Sequence, residues 1–154
     1  MSVSWNEIRA RATTFAADWK NTKSEDADAK SFWDAFFEVF GVPRRKVASF
    51  EKRVDKLGTA QGKIDLLWKG TLLIEHKSLG KDLTKAYKQA IDYFPGLKPE
   101  ELPRYILVCD FENFELHDLE PDEGAKGVSK FKLSELPQNI HRFAFIAAQW
   151  NKME

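Results

Sequence analysis

Apolar positions near the start of the chain recur at steps of three and four: Trp5, Ile8, Ala12, Phe15 and Trp19 predict an amphipathic helix. Residues 21–30 are polar and read as a loop. Ser31 then reads as the cap of a second helix, with Asp34 three places on in a box-like position. The stripe Phe32, Trp33, Phe36, Phe37 and Phe40 supplies its buried face, and Gly41 and Pro43 end it. Val47 to Val54 predicts a strand with Phe50 and Val54 on one face. Ile64–Trp68 and Leu72–Lys77 predict two more, joined around Lys69-Gly70, a hairpin signal. Asp82 can cap a third helix carrying Leu83, Ala86, Tyr87, Ala90 and Phe94, which Pro95-Gly96 stops.

Further on, Tyr105–Cys109 is a continuous apolar run suited to a strand buried on both faces. Phe114–Leu119 and Val128–Leu133 predict strands on either side of an acidic loop. Ser134 opens a last helix with Leu136, Ile140, Phe143, Ala147 and Trp150 inward. Three antiparallel strands followed by a helix that crosses to another strand make a mixed central sheet flanked by helices, an α/β sandwich. No repeat, low-complexity tract or linker interrupts the pattern. Residues 1–154 are therefore read as one domain, with a helical N-terminal segment over 1–40, a core over 44–110, and C-terminal strands and a helix over 111–154.

Composition narrows the class. At 154 residues, 43% hydrophobic and 31% charged, the chain is an ordinary globular one that needs no disulfide or metal staple. Apolar runs fall well short of the ~20 residues of a membrane span, and Met1–Trp5 carries no signal-peptide pattern, so the expected home is the cytoplasm. The single cysteine, Cys109, excludes a disulfide framework and a multi-thiolate zinc site. His76, His117 and His141 are too scattered for zinc-ligand spacing. Net charge is zero, 24 basic against 24 acidic residues, so charge alone does not imply nucleic acid. Its distribution is uneven: Arg44–Lys56 holds six basic and two acidic residues, whereas Asp110–Glu123 holds seven acidic ones.

The chemistry lies in Gly62-Lys63-Ile64-Asp65-Leu66-Leu67-Trp68 and Ile74-Glu75-His76-Lys77-Ser78. Asp65 interrupts an apolar strand, and Glu75 and Lys77, two apart in the next strand, share a face. A carboxylate within a buried strand is costly unless it is paired or binds a cation. Two carboxylates converging from neighbouring strands beside an ammonium are what a divalent-metal phosphodiesterase requires. The lysine orients an attacking water or stabilises the transition state. Register decides the matter. A two-residue turn at Lys69-Gly70 would set Asp65 opposite Ile74, with the carboxylates on opposite faces. A three-residue connection or a bulge would set Asp65 opposite Glu75. The latter is expected. His76 alternates away from Glu75 and Lys77, so its ring serves packing or a hydrogen bond.

Asp65, nine intervening residues, then Glu75-His76-Lys77 resembles the PD-(D/E)XK nuclease signature, and the αβββαβ order resembles its restriction-endonuclease-like core. Gln89-Ala90-Ile91-Asp92-Tyr93 is similar to the Gln-x-x-x-Tyr motif of the RecB-like branch. More narrowly, these segments with Phe94-Pro95-Gly96-Leu97 resemble the N-terminal nuclease domain of MmeI-like restriction–modification enzymes, from about Phe32 onward. The resemblance implies Asp65 and Glu75 as ligands of Mg²⁺ (with Mn²⁺ as a substitute), the main-chain carbonyl of His76 as a third ligand, and Lys77 as the catalytic lysine. It places Gln89 and Tyr93 beside them and near DNA, Gln89 as a further catalytic residue touching DNA backbone or a metal-bound water and Tyr93 steadying it. It also implies an acid on the helix before the strands. Glu38 is the candidate, although helical-wheel arithmetic sets it nearly opposite the phenylalanine stripe, where a solvated position fits as well.

Arg44, Arg45, Lys46, Lys52 and Arg53 precede the hairpin and are candidate phosphate contacts. The expected function is a Mg²⁺-dependent DNA endonuclease module. Methyltransferase and target-recognition modules, in the same or a partner chain of a bacterial enzyme, would supply specificity, and a dimer could serve double-strand cleavage. The alternatives are a catalytically silent DNA-binding or scaffold domain and a stand-alone RecB-like repair nuclease or resolvase.

Overall fold

The computed structural model describes residues 3–55 and 61–154. Lys56, counted above with the basic stretch, lies outside them. Helices α1 (Trp5–Asp18) and α2 (Glu25–Val39) come first, then a helical turn α3 (Arg44–Val47). Strands β1 (Ser49–Asp55), β2 (Gln61–Trp68) and β3 (Leu72–His76) follow. Helix α4 (Leu83–Asp92) crosses to β4 (Tyr105–Cys109), and β5 (Asn113–Asp118), β6 (Val128–Lys132), α5 (Leu136–Asn139) and α6 (Ala144–Met153) complete the chain. The six strands lie in sequence order, all antiparallel except β3 with β4. That pair is the one joined by a crossover helix, as a parallel pair must be.

Alternation along the strands builds a core on each face of the sheet. Leu72, Ile74, Leu107 and Cys109 point to one side, where they meet Ile8, Phe15, Phe32, Trp33, Phe36, Phe37, Leu136 and Ile146 from α1, α2, α5 and α6. Leu73, Ile106 and Val108 point to the other and pack under Ala86 and Ala90 of α4. The architecture is thus the mixed sheet flanked by helices that the pattern predicts, a restriction-endonuclease-like core.

Several expectations need correction. Helix α2 starts at Glu25 rather than after Ser31, so residues 25–30 are helical and Ser31 lies within the helix. Ser24 occupies the cap position without making a side-chain cap bond, and the Glu25 amide donates instead to Ser78 Oγ at 3.2 Å, a cap supplied from a distant loop. Acidic Glu25, Asp26 and Asp28 in the first turn complement the helix dipole. The expected strand from Val47 begins at Ser49, because Arg44–Val47 closes a helical turn. Phe50 and Val54 do not share a face: Phe50 packs against the α2-side core and Val54 against the α4-side core. The strand rotates between them at Glu51, whose φ is +55°. The final helix is broken into short turns before α6. Asn139 Nδ2 donates to Glu135 O and its Oδ1 accepts from Arg142 Nε, so this side chain competes with the helical ladder. No helix among the described residues is long and apolar enough to cross a membrane.

Candidate active site

Trp68 pairs with Leu72, Leu67 with Leu73 and Leu66 with Ile74, so β2 and β3 are joined by three residues, Lys69-Gly70-Thr71. Gly70 supplies the left-handed conformation at φ +76° that this connection needs. Counting one place beyond the last pair sets Asp65 opposite Glu75, the register that brings the carboxylates together. The ladder stops there, and the His76 amide donates to Asp65 Oδ2 at 2.8 Å. Asp65 is thereby fixed against β3 at the end of the sheet where β3 and α4 part.

Glu75 is 2% exposed and projects towards α4, and its Oε2 has no hydrogen-bond partner. Burial pushes its carboxyl far above the ordinary carboxylate range, the Asp65 carboxylate pushes it further, and Lys77 opposes both. A cation in this position would relieve that cost. Lys77, tied at its own amide to Cys109 O at 2.9 Å, donates from Nζ to Gln89 Oε1 at 2.8 Å. Gln89 Nε2 donates in turn to the Tyr93 hydroxyl at 3.2 Å. Gln89 and Tyr93, one turn apart, do share the face of α4 that looks at the carboxylates. Tyr93 is buried, and burial followed by the Glu75 charge holds its hydroxyl protonated.

The His76 ring turns to the opposite side of the sheet. Its Nδ1 accepts from Trp33 Nε1 at 3.0 Å, and Phe111 packs against it with centroids 4.3 Å apart. Burial, and after it the Lys77 charge, lowers its pKa to about 3, so the ring stays neutral and serves packing. Asp65, Glu75, His76, Lys77, Gln89 and Tyr93 line a cleft of about 480 Å³ whose other wall is formed by the start of α2, with Glu25, Asp26 and Lys30, and by Phe50, Glu51 and Lys63 of β1 and β2.

Not every candidate lies here. Glu38 sits near the far end of α2, beside a groove between α1 and α2, with its carbonyl accepting from Arg11 Nη1 at 3.0 Å. It is not at the cleft, and the solvated alternative describes it. The acid that α2 brings to the cleft is Glu25, whose carboxyl is raised by burial first and by Asp65 second. The sequence carried a signal for it: Ser24 followed by three acids within four residues is a helix start. Of the basic candidates, Arg44 is engaged by Asp34 at 2.6 Å and by Ala48 O at 2.9 Å, and Lys52 pairs with Glu101 at 3.9 Å. None of Arg44, Arg45, Lys46, Lys52 and Arg53 lines the cleft.

Among the described residues no group of three or more His, Cys, Asp and Glu side chains could hold a metal by itself. Two carboxylates with a main-chain carbonyl nearby form a sparse oxygen donor set. Mg²⁺, which keeps several waters and takes further oxygens from a substrate phosphate, tolerates such a set better than Ca²⁺ or Zn²⁺.

A six-stranded mixed sheet covered on both faces, with two acids and a lysine gathered at the end of β3, defines a restriction-endonuclease-like α/β domain. The chain belongs to the family described as MmeI, N-terminal domain, which matches residues 10–154. Its fold is similar to that of a chain in a cryo-electron-microscopy structure of a DrdV–DNA complex, at 11% sequence identity and a TM-score of 0.53. The match covers 94% of this chain and 14% of that one, so the present chain spans about one-seventh of its neighbour's length. No curated protein matches the sequence.

Proposed function

We propose that this chain is the cleavage module of a restriction enzyme and hydrolyses DNA phosphodiester bonds with the help of Mg²⁺. The observation that carries the reading is the register of β2 and β3, which sets Asp65 against a buried Glu75 with an unpartnered oxygen. A carboxylate in that state is retained at a cost to stability, and cation binding is the use that offsets it. Asp65, Glu75 and the His76 carbonyl would hold the ion, with Glu25 facing the same space. When bound, Mg²⁺ activates water and neutralises charge on the phosphate. Lys77 stands beside the carboxylates to orient the attacking water or stabilise charge on the scissile phosphate. Gln89 holds the Lys77 ammonium in place, and Tyr93 holds Gln89. Sequence selection then falls to methyltransferase and recognition modules outside this chain. That division agrees with a net charge of zero, since a module positioned by its partners needs little DNA affinity of its own.

Plasmid cleavage in Mg²⁺ or Mn²⁺, comparing the wild-type chain with Asp65→Ala, tests the reading. Metal-dependent nicking that vanishes in the variant is the expected result. Nicking that survives in Asp65→Ala moves the site elsewhere. Absence of nicking by both, with the other enzyme modules supplied, favours a non-catalytic DNA-binding domain.

A further inference from the structure

The cleft contains two opposed charges that the reaction above does not use. Lys30, in the second turn of α2, and Glu51, in the middle of β1, meet at the rim with Nζ 3.4 Å from Oε1. Their side chains are 59% and 53% exposed. Lys30 Nζ also lies 5.9 Å from the centre of the Phe50 ring, which Arg44 covers at 4.0 Å. Glu51 adopts φ +55° within a strand, a conformation that L-residues avoid because Cβ crowds the backbone. Phe50 pairs with Leu66 and Lys52 with Ile64, so Glu51 stands opposite Asp65 at the one step of this ladder left without a pair. The rotation that moves Phe50 and Val54 to different faces therefore also brings the Glu51 carboxylate to the cleft. Lys63, two residues before Asp65, lines the same cleft, is exposed, and has no ion-pair partner among the described residues.

We propose that Lys30 contacts a backbone phosphate at the rim of the cleft, with Lys63 as its companion across the opening, and that Glu51 is a built-in competitor which the nucleic acid displaces. The inference rests on the DNA-cleaving reading of the site. A polyanion entering a cleft lined by Glu25, Asp26 and Asp65 is repelled unless cations stand at the entrance. An exposed ion pair at this distance contributes little to stability, so a phosphate can replace Glu51 on Lys30 at small cost. Until it does, one of the two rim cations is neutralised, and the free domain holds DNA weakly.

The test is binding of a fluorescently labelled duplex by anisotropy, in EDTA so that no cleavage occurs, over salt from about 50 to 200 mM. Circular dichroism confirms that each variant is folded. Lys30→Gln should weaken binding several-fold and flatten the plot of log affinity against log salt by about one unit, the signature of one lost phosphate contact. Glu51→Gln should strengthen binding, and this gain should vanish when Lys30→Gln is also present. Glu123→Gln, in the exposed acidic loop, makes the same change in net charge and should give a smaller gain. A Glu51→Gln gain that survives without Lys30, or that Glu123→Gln equals, overturns the proposal. Wild-type binding that Lys30→Gln leaves unchanged overturns it while the DNA reading stands. A wild-type chain that does not bind duplex even at the lowest salt counts against both.

Discussion

Replacing Glu75 by glutamine keeps the shape of the side chain and removes a group that stays neutral in its buried position only by holding a proton. Glu75 is 2% exposed, one of its oxygens has no partner, and burial and Asp65 both raise its pKa. An unsatisfied buried polar group costs about 1–3 kcal/mol. The amide can donate towards Asp65 as the protonated carboxyl does, but without taking up a proton, so Glu75→Gln should stabilise the metal-free protein by at least about that amount at pH 8. At this chain length each kcal/mol moves the melting temperature by roughly 2–4 °C. The folded protein holds the Glu75 proton more tightly than the unfolded chain, whose carboxyl titrates near ~4.3. Wild-type stability attributable to this group is therefore present below that pH and is lost as pH rises. The advantage of the variant should shrink towards zero below about pH 4.3, where both side chains are neutral. Thermal unfolding in EDTA across this pH range measures the effect. Adding Mg²⁺ should raise the melting temperature of the wild type and not of the variant, because only a ligand that binds the folded state stabilises it. A Glu75→Gln protein that melts below wild type at pH 8 in EDTA would refute the reasoning, since Glu75 would then be satisfied where it lies.

Three other perturbations follow from particular contacts. Lys77→Ala should abolish metal-dependent plasmid cleavage and leave the circular dichroism spectrum unchanged, because among the described residues its ammonium hydrogen-bonds Gln89 alone; persistent cleavage removes the lysine from the mechanism. Glu51→Gly should raise stability in urea by up to about 1 kcal/mol by relieving the left-handed backbone, given that the exposed pair with Lys30 offsets little of it; a loss of stability would show that the pair outweighs the strain. Gly96→Ala should lower stability by about 1–3 kcal/mol, since a Cβ there collides with main-chain O and N of Asp55 in β1; an unchanged urea midpoint would show that the turn can give way.

Most of the fold was legible because its elements are strongly patterned. Tyr105–Cys109 begins and ends where its apolar run does, Asp82 caps α4 with its side chain accepting from Thr84 and Lys85, and the Phe32–Phe40 stripe is the centre of the larger core. The places where the reading failed share a cause. Helix α2 starts about two turns early because Ser78 caps it from a loop far along the chain, a partner that local pattern cannot supply. The same error hid Glu25 and left Glu38 as the candidate acid. Phe50 and Val54 part company because both strands of the ladder turn over at the Glu51–Asp65 step, where Leu66 and Ile64 also part, and the alternation on which a period-two argument depends is broken there.

The sequence by itself determined which side chains carry chemistry: an aspartate in an apolar strand, a glutamate and a lysine two apart in the next, and a glutamine and a tyrosine one helical turn apart. Those are properties of local spacing, set by the periods of strand and helix. The tertiary structure decided how they meet. Whether Asp65 faces Glu75 depends on a single residue in the connection between β2 and β3, and a one-residue slip would turn the whole set to the other face. Whether Glu75 becomes costly depends on how completely α4 covers it. Both are long-range facts, fixed by packing two cores against one sheet, and no stretch of the chain contains them on its own.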